Sequence, residues 1–166
     1  MAFMYVCWLP IPIASYQILR DYEFLIIGTM FGVVSLGILI LTMVLQASHL
    51  AYSAIHHDED AEFWDKSDNW MLIGLLGGQV ELLALILKGI WVMFIAICFW
   101  FRGDILSFSL AAVSSLFSVA YLINLLDLAL VKKLRFLKLI KINSIVTNSE
   151  TFAWFAFLTV WLVAPV

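Results

Sequence analysis

Charge is scarce in this chain. Asp, Glu, Lys and Arg together make up 13% of its 166 residues, against about a quarter in soluble domains. Cysteine is rarer still: Cys7 and Cys98 both sit in apolar runs, without CxxC or Cys/His spacing nearby. They read as small buried hydrophobes, not as a disulfide or a metal framework. No long basic face is present, which argues against nucleic acid as a partner. HExxH, a glycine-rich anion-binding loop and a nucleophile–base pair are all missing, so neither catalytic residues nor a cofactor are expected. The internal repeat and paired broken helices of many transporters are not evident either.

Apolar residues fill the chain instead. They make up 64% of it, with a mean hydropathy of +1.05, which places it in the membrane class. Five apolar runs, 1–19, 24–55, 71–101, 105–131 and 151–166, predict an all-α integral membrane protein with one domain over 1–166. The expected architecture is a bundle of four transmembrane helices plus a fifth, Pro-kinked hydrophobic helix at the N-terminus. The first run has no basic n-region or A-x-A site, so a cleaved signal peptide is not expected. Pro10 and Pro12 withdraw two backbone donors from it. The run 24–55 would be roughly 48 Å long as a helix, more than the roughly 30 Å of a hydrocarbon core, so its end should project. Only "RGD" separates the third and fourth runs, which predicts a tight helical hairpin. The last run is short for a span.

The few charges are segregated. The connection 132–150 carries Lys132, Lys133, Arg135, Lys138 and Lys141 against Glu150. The positive-inside rule therefore predicts a cytoplasmic position for it, in a bacterial cytoplasmic (inner) membrane. Two crossings earlier, the connection 56–70 should lie on the same side. It is acidic: Asp58, Glu59, Asp60, Glu62, Asp65 and Asp68 stand against Lys66.

This acidic stretch, "IHHDEDAEFWDKSDNW", supports three chemistries. His49, His56 and Asp60 share a face of a continued helix and could bind a borderline metal, with His57 beside them. The spacing is loose, and adjacent histidines do not point the same way. A catalytic carboxylate needs a desolvating pocket, whereas six carboxylates in one short connection read as solvated. The favoured reading is a docking surface for a cytoplasmic protein. Asp58, Glu59, Asp60, Glu62 and Asp65 supply charge, and Phe63 and Trp64 an apolar anchor. In the basic stretch, the five cations scatter around a helical wheel, so a membrane-surface helix is not indicated. They attract anionic lipid headgroups, at about 1 kcal/mol per residue, or dock on the acidic connection.

Polar residues inside apolar runs are costly unless paired. Gln79, Glu81 and Lys88 lie in the third run, Asn124 and Asp127 in the fourth. Rise per residue predicts an ion pair between Lys88 and Asp127, with Asn124 and Gln79 as further partners. Small residues predict close packing within the bundle and between copies: Gly28 and Gly32 in "GTMFG", then Ser107, Ala111 and Ser115 at every fourth position. The functional expectation is a non-enzymatic, homo-oligomeric membrane subunit or sensor that anchors a cytoplasmic partner through its charged connections. The alternative is a small ion or proton channel, or a permease, using Glu81, Lys88, Asn124 and Asp127.

Overall fold

The computed structural model describes residues 2–129 and 144–163. Of these, 91% are helical and none is in a strand, so helix packing decides the whole architecture. The order is α1 (Ala2–Trp8), α2 (Pro10–Ile18), α3 (Leu25–His56), α4 (Ala61–Asp68), a π-helix (Asn69–Val80), α5 (Glu81–Arg102), α6 (Ile105–Ala129) and α7 (Ser144–Val163). Among the described residues, three stretches are long and apolar enough to cross a membrane: Leu25–His56, Ala61–Arg102 and Ile105–Leu128. α7 is not among them, and Phe3–Ile18 is a shorter apolar stretch.

Local chemistry explains most of the breaks. Helical hydrogen bonding stops at Leu9 because Pro10 and Pro12 have no N–H to continue it. Leu9 itself keeps right-handed dihedrals, so the chain direction changes little. Gly103 ends α5 at φ 74°, the left-handed conformation that a side chain disfavours. Asp104 follows and accepts from Ser107 N–H at 3.1 Å, capping the first turn of α6. The "RGD" triplet is thus a C-cap followed by an N-cap. Asp60 caps α4 in the same way, through Phe63 N–H at 3.0 Å.

α3 and the stretch Ala61–Arg102 run antiparallel. Ser35 Oγ donates to the Ala84 carbonyl at 2.7 Å, and Ser53 Oγ to Asp68 at 2.9 Å. Gly28 and Gly32 are covered by α5 side chains: added Cβ atoms would lie 2.6 Å from Phe94 and 2.7 Å from Trp91. The small-residue motif therefore receives two aromatic rings of the same chain. α6 returns antiparallel to α5, and the closest approach is at Gly89, where a Cβ would fall 2.2 Å from that of Ser118. Ser107 and Ala111 are buried on α6, and Ser115 is half-buried, its hydroxyl donating to Ala112 O. α7 runs parallel to α5: Trp91 meets Trp154 and Phe155, and Phe99 meets Phe157 and Trp161. α1 closes the core from the side, with Trp8 stacked on Phe155 at 4.5 Å.

The π-helix reconciles two helices of different length. From Asp68 to Gly77 it uses nine residues alongside the seven of α3 from Gln46 to Ser53. Its wider turn advances less per residue, so the partners stay in register. Glycine is required at two positions of that turn. A Cβ on Gly77 would lie 2.3 Å from Leu72 O, and one on Gly78 2.7 Å from Ile73 O.

The structure corrects several expectations. The stretch 56–70 is not a loop: α3 runs through His56, and α4 begins at Ala61. The basic connection is shorter than 132–150, because α7 starts at Ser144 and takes Glu150 into the bundle. Lys132, Lys133, Arg135, Lys138 and Lys141 lie outside the described residues. Cys98 is buried as expected, but Cys7 is exposed.

Candidate functional site

Two charged regions stand out, one inside the bundle and one at the tip of the α3–α4 hairpin. The inner one centres on Lys88 of α5, whose side chain is 1% exposed and pairs with Glu150 of α7, 8% exposed. A lone charge in this position would be prohibitive; a pair needs further hydrogen bonds to be tolerated. Those bonds come from α6 and α7. Glu150 Oε1 accepts from Ser114 Oγ, and Oε2 accepts from Tyr121 OH at 3.0 Å. Thr151 Oγ1 lies 3.4 Å from the same Oε2 and accepts from Lys88 Nζ at 2.9 Å. The Lys88 ammonium also sits 5.9 Å from the centre of the Tyr121 ring, within cation–π range. Its charge and donors are therefore taken up by one carboxylate, one hydroxyl and one ring face. The cluster ties α5, α6 and α7 together in one register.

Asp127 is not the partner of Lys88. Ser114 and Tyr121 are seven residues apart and share a face of α6, whereas Asp127, six residues beyond Tyr121, falls on another. Depth differs as well. Gly89 is level with Ser118, so Lys88 lies about eight residues, roughly 12 Å, from the level of Asp127. Asp127 Oδ1 is buried with no hydrogen-bond partner among the described residues. Asn124 donates instead to Ala120 O at 2.7 Å, and Gln79 is exposed. Glu81 is half-buried at the junction between the π-helix and α5.

The outer region extends past Ala129, the last described residue of α6. Leu128 reaches the level of Gly78, and Gln46 of α3 flanks the neighbouring Gly77. From Gln46 to His56, α3 continues roughly 15 Å further, first beside the π-helix and then, past Ser53, beside α4. At this tip Trp64 is not the exposed anchor expected. It packs back on α3, edge-on to Tyr52 at 5.5 Å and 6.1 Å from His56. Phe63 is exposed, at 57%, with Tyr52 at 55% and Ile55 at 76% on the facing helix. Asp58, Glu59, Asp60, Glu62 and Asp65 are also exposed or half-exposed around it. Lys66 pairs with Glu62 at 2.6 Å, one turn apart.

The three histidines take separate roles. His49 Nε2 approaches Asp68 Oδ1 to 2.9 Å without hydrogen-bond alignment. His56 bonds to Tyr52 O at 2.9 Å, and His57 reaches Asp65 at 3.4 Å. His49, His56 and Asp60 do not converge, because the turn after His57 carries Asp60 away to cap α4. Among the described residues, no group of three His, Cys, Asp or Glu side chains is placed to hold a metal ion.

Compared with family models, with curated proteins and with solved structures, the chain matches none of them. The geometry of its own residues therefore carries the functional argument. Sequence reasoning missed Glu150, Tyr121, Ser114 and Thr151. A signal for Glu150 was present: residues 142–149 carry no charge, so it stands nine positions from Lys141 and heads an apolar run. An isolated acid at the head of an apolar run is costly unless it meets a cation.

Proposed function

We propose that this chain is a non-enzymatic integral membrane subunit or sensor that recruits a basic protein partner through the tip of the α3–α4 hairpin. The observation that carries this reading is the projection of the tip beyond the described part of α6, with clustered carboxylates around exposed Phe63 and Ile55. Charges of one sign steer and orient a partner, and an exposed aromatic supplies apolar contact that salt does not screen. In this reading α3, Ala61–Arg102, α6 and α7 are the four spans, and α1–α2 is an accessory hydrophobic segment. Both charged connections face the cytoplasm of a bacterial cell, Lys132 to Lys141 rest on anionic headgroups, and copies associate through the outer faces of the spans. The inner cluster serves as the lock that holds the bundle.

A channel or permease using Glu81, Lys88, Asn124 and Asp127 is the weaker reading, since Lys88 closes on Glu150 and Asn124 on its own helix. The decisive experiment is cross-linking from intact membranes with mass spectrometry, comparing the native chain with a variant carrying Asp58, Glu59 and Asp60 all changed to Lys. Loss of one reproducible cross-linked protein, with membrane insertion unchanged, is the expected result. An unchanged cross-linking pattern would remove the docking reading.

A further inference from the structure

All three histidines of the chain fall within nine positions at the end of α3, and each meets α4. His49 Nε2 lies 2.9 Å from Asp68 Oδ1, with side chains 13% and 26% exposed. Ser53 Oγ donates to the other carboxylate oxygen of Asp68. His57 Nε2 lies 3.4 Å from Asp65 Oδ1, in a more exposed position. The His56 ring stacks on Tyr52 at 4.1 Å and lies 6.1 Å from Trp64. Among the described residues, three polar side-chain contacts tie this end of the chain to α4, and two of them use a histidine. Histidine is the side chain whose charge ordinarily changes between about pH 5 and pH 8.

The contact between His49 and Asp68 is close but poorly aligned. Both facing atoms are buried, and neither has a hydrogen-bond partner among the described residues. A neutral imidazole offers a carboxylate only a directional hydrogen bond, which weakens steeply off axis. Attraction between an imidazolium and a carboxylate depends on distance instead. The contact therefore contributes little with the ring neutral and more with the ring charged. The imidazole is not sealed, so a proton from water can reach it. A charged His57 gains Asp65 in the same way, and a charged His56 gains the rings of Tyr52 and Trp64. All three changes pull α4 toward α3.

The groups around them do not oppose this. On α4, Glu62 and Lys66 pair with each other, and the turn before it adds Asp58, Glu59 and Asp60. The π-helix beside His49 contains no titratable residue, and α1 and α2 contain no charged one. The nearest charged groups of α5 and α6 at this end are acids, Glu81 and Asp127.

We propose that the α3–α4 hairpin is a pH-operated clasp, which closes when protons charge His49 and His57 against Asp68 and Asp65, and His56 against Trp64. Closure is favoured as pH falls through the histidine range and is lost as pH rises through it. One consequence rests on the docking function proposed for the tip: the same protons cancel part of its negative charge, so acidification releases a basic partner.

The test reads the clasp itself, on the full chain in phosphatidylcholine nanodiscs with a metal chelator and no partner. Amide protection over 61–68, corrected for the intrinsic pH dependence of exchange, is compared at about pH 5.5 and about pH 7.5, either side of the ordinary histidine midpoint. Protection should be about fivefold higher at the lower pH, the upper range for a partly exposed ion pair. His49→Gln should remove most of this step, whether or not it also loosens α4 at both pH values. Asp68→Asn should do the same, and His57→Gln should remove a smaller part. Equal protection of the native chain at the two pH values would overturn the clasp. A full step that survives His49→Gln would overturn the role of His49 and Asp68. With no partner present, each outcome is independent of whether the tip recruits one.

Discussion

Lys88 with Glu150, and Lys66 with Glu62, are the same pair of functional groups in opposite surroundings. The first is enclosed by three helices, with its ammonium 1% exposed; the second lies on the solvent side of α4, with side chains 75% and 81% exposed. In the bundle, each partner is the reason the other is tolerated, and Ser114, Tyr121 and Thr151 are held in place with them. At the tip, water would solvate each partner almost as well alone. Carboxylate density therefore points away from the site that organises this fold. The acidic tip has many carboxylates of small individual effect, whereas the bundle has one of large effect.

The sharpest way to break this comparison is to remove one buried partner. Lys88→Ala or Glu150→Ala should destabilise the bundle by about 3–5 kcal/mol, because the remaining charge is left unpaired. Unfolding followed by circular dichroism in detergent checks this. The double variant should cost clearly less than the sum of the two. Lys88→Ala combined with Asp127→Ala should be additive, since those side chains do not meet; a large coupling there would restore the pair expected from sequence.

Packing beside the inner cluster comes next in size. Gly89→Ala should cost about 1–3 kcal/mol, because its methyl group falls on Ser118 and must push α5 from α6. Gly37→Ala is the control: nothing lies within 4 Å of a Cβ there, and unfolding should be unchanged or slightly improved.

At the tip, the two neighbouring aromatics should separate in their effects. Trp64→Ala should loosen α4 by about 1 kcal/mol, as aromatic contacts with Tyr52 and His56 are lost, read as faster amide exchange over 61–68. Phe63→Ala should leave exchange unchanged and weaken only partner binding. The reverse pattern would show that the rings have exchanged roles. The smallest effect is expected for Lys66→Ala, about 0.2–0.5 kcal/mol and lost in high salt, as for other exposed pairs one turn apart.

Much of the fold was legible because it follows from local rules. The apolar run 24–55 became Leu25–His56 almost residue for residue, since length and hydropathy alone decide where such a helix can sit. Gly103 and Asp104 made the expected tight turn. The inner cluster was not legible. Assigning Lys88 to Asp127 rested on depth counted along separate helices, while the true partner was grouped with the basic connection because Glu150 follows five cations in sequence. Trp64 was taken for an outward ring because sequence proximity to Phe63 does not say which of two adjacent helical positions faces α3. The π-helix left only its glycines as a trace.

Composition and periodicity by themselves determined that this chain is helical, that most of it belongs among apolar surroundings, and that its charges separate into an acidic and a basic stretch. Those properties are sums over neighbouring residues, and hydrophobic transfer and backbone hydrogen bonding act on them without reference to distant segments. Only the tertiary structure decided which charge meets which. The rotation of α6 sets Ser114 and Tyr121 on one side and Asp127 on another, and the parallel course of α7 brings Glu150 to Lys88 across 62 positions of sequence. Pairing of buried charges depends on helix phase and depth to within a few ångströms, and that precision arises only when the helices pack.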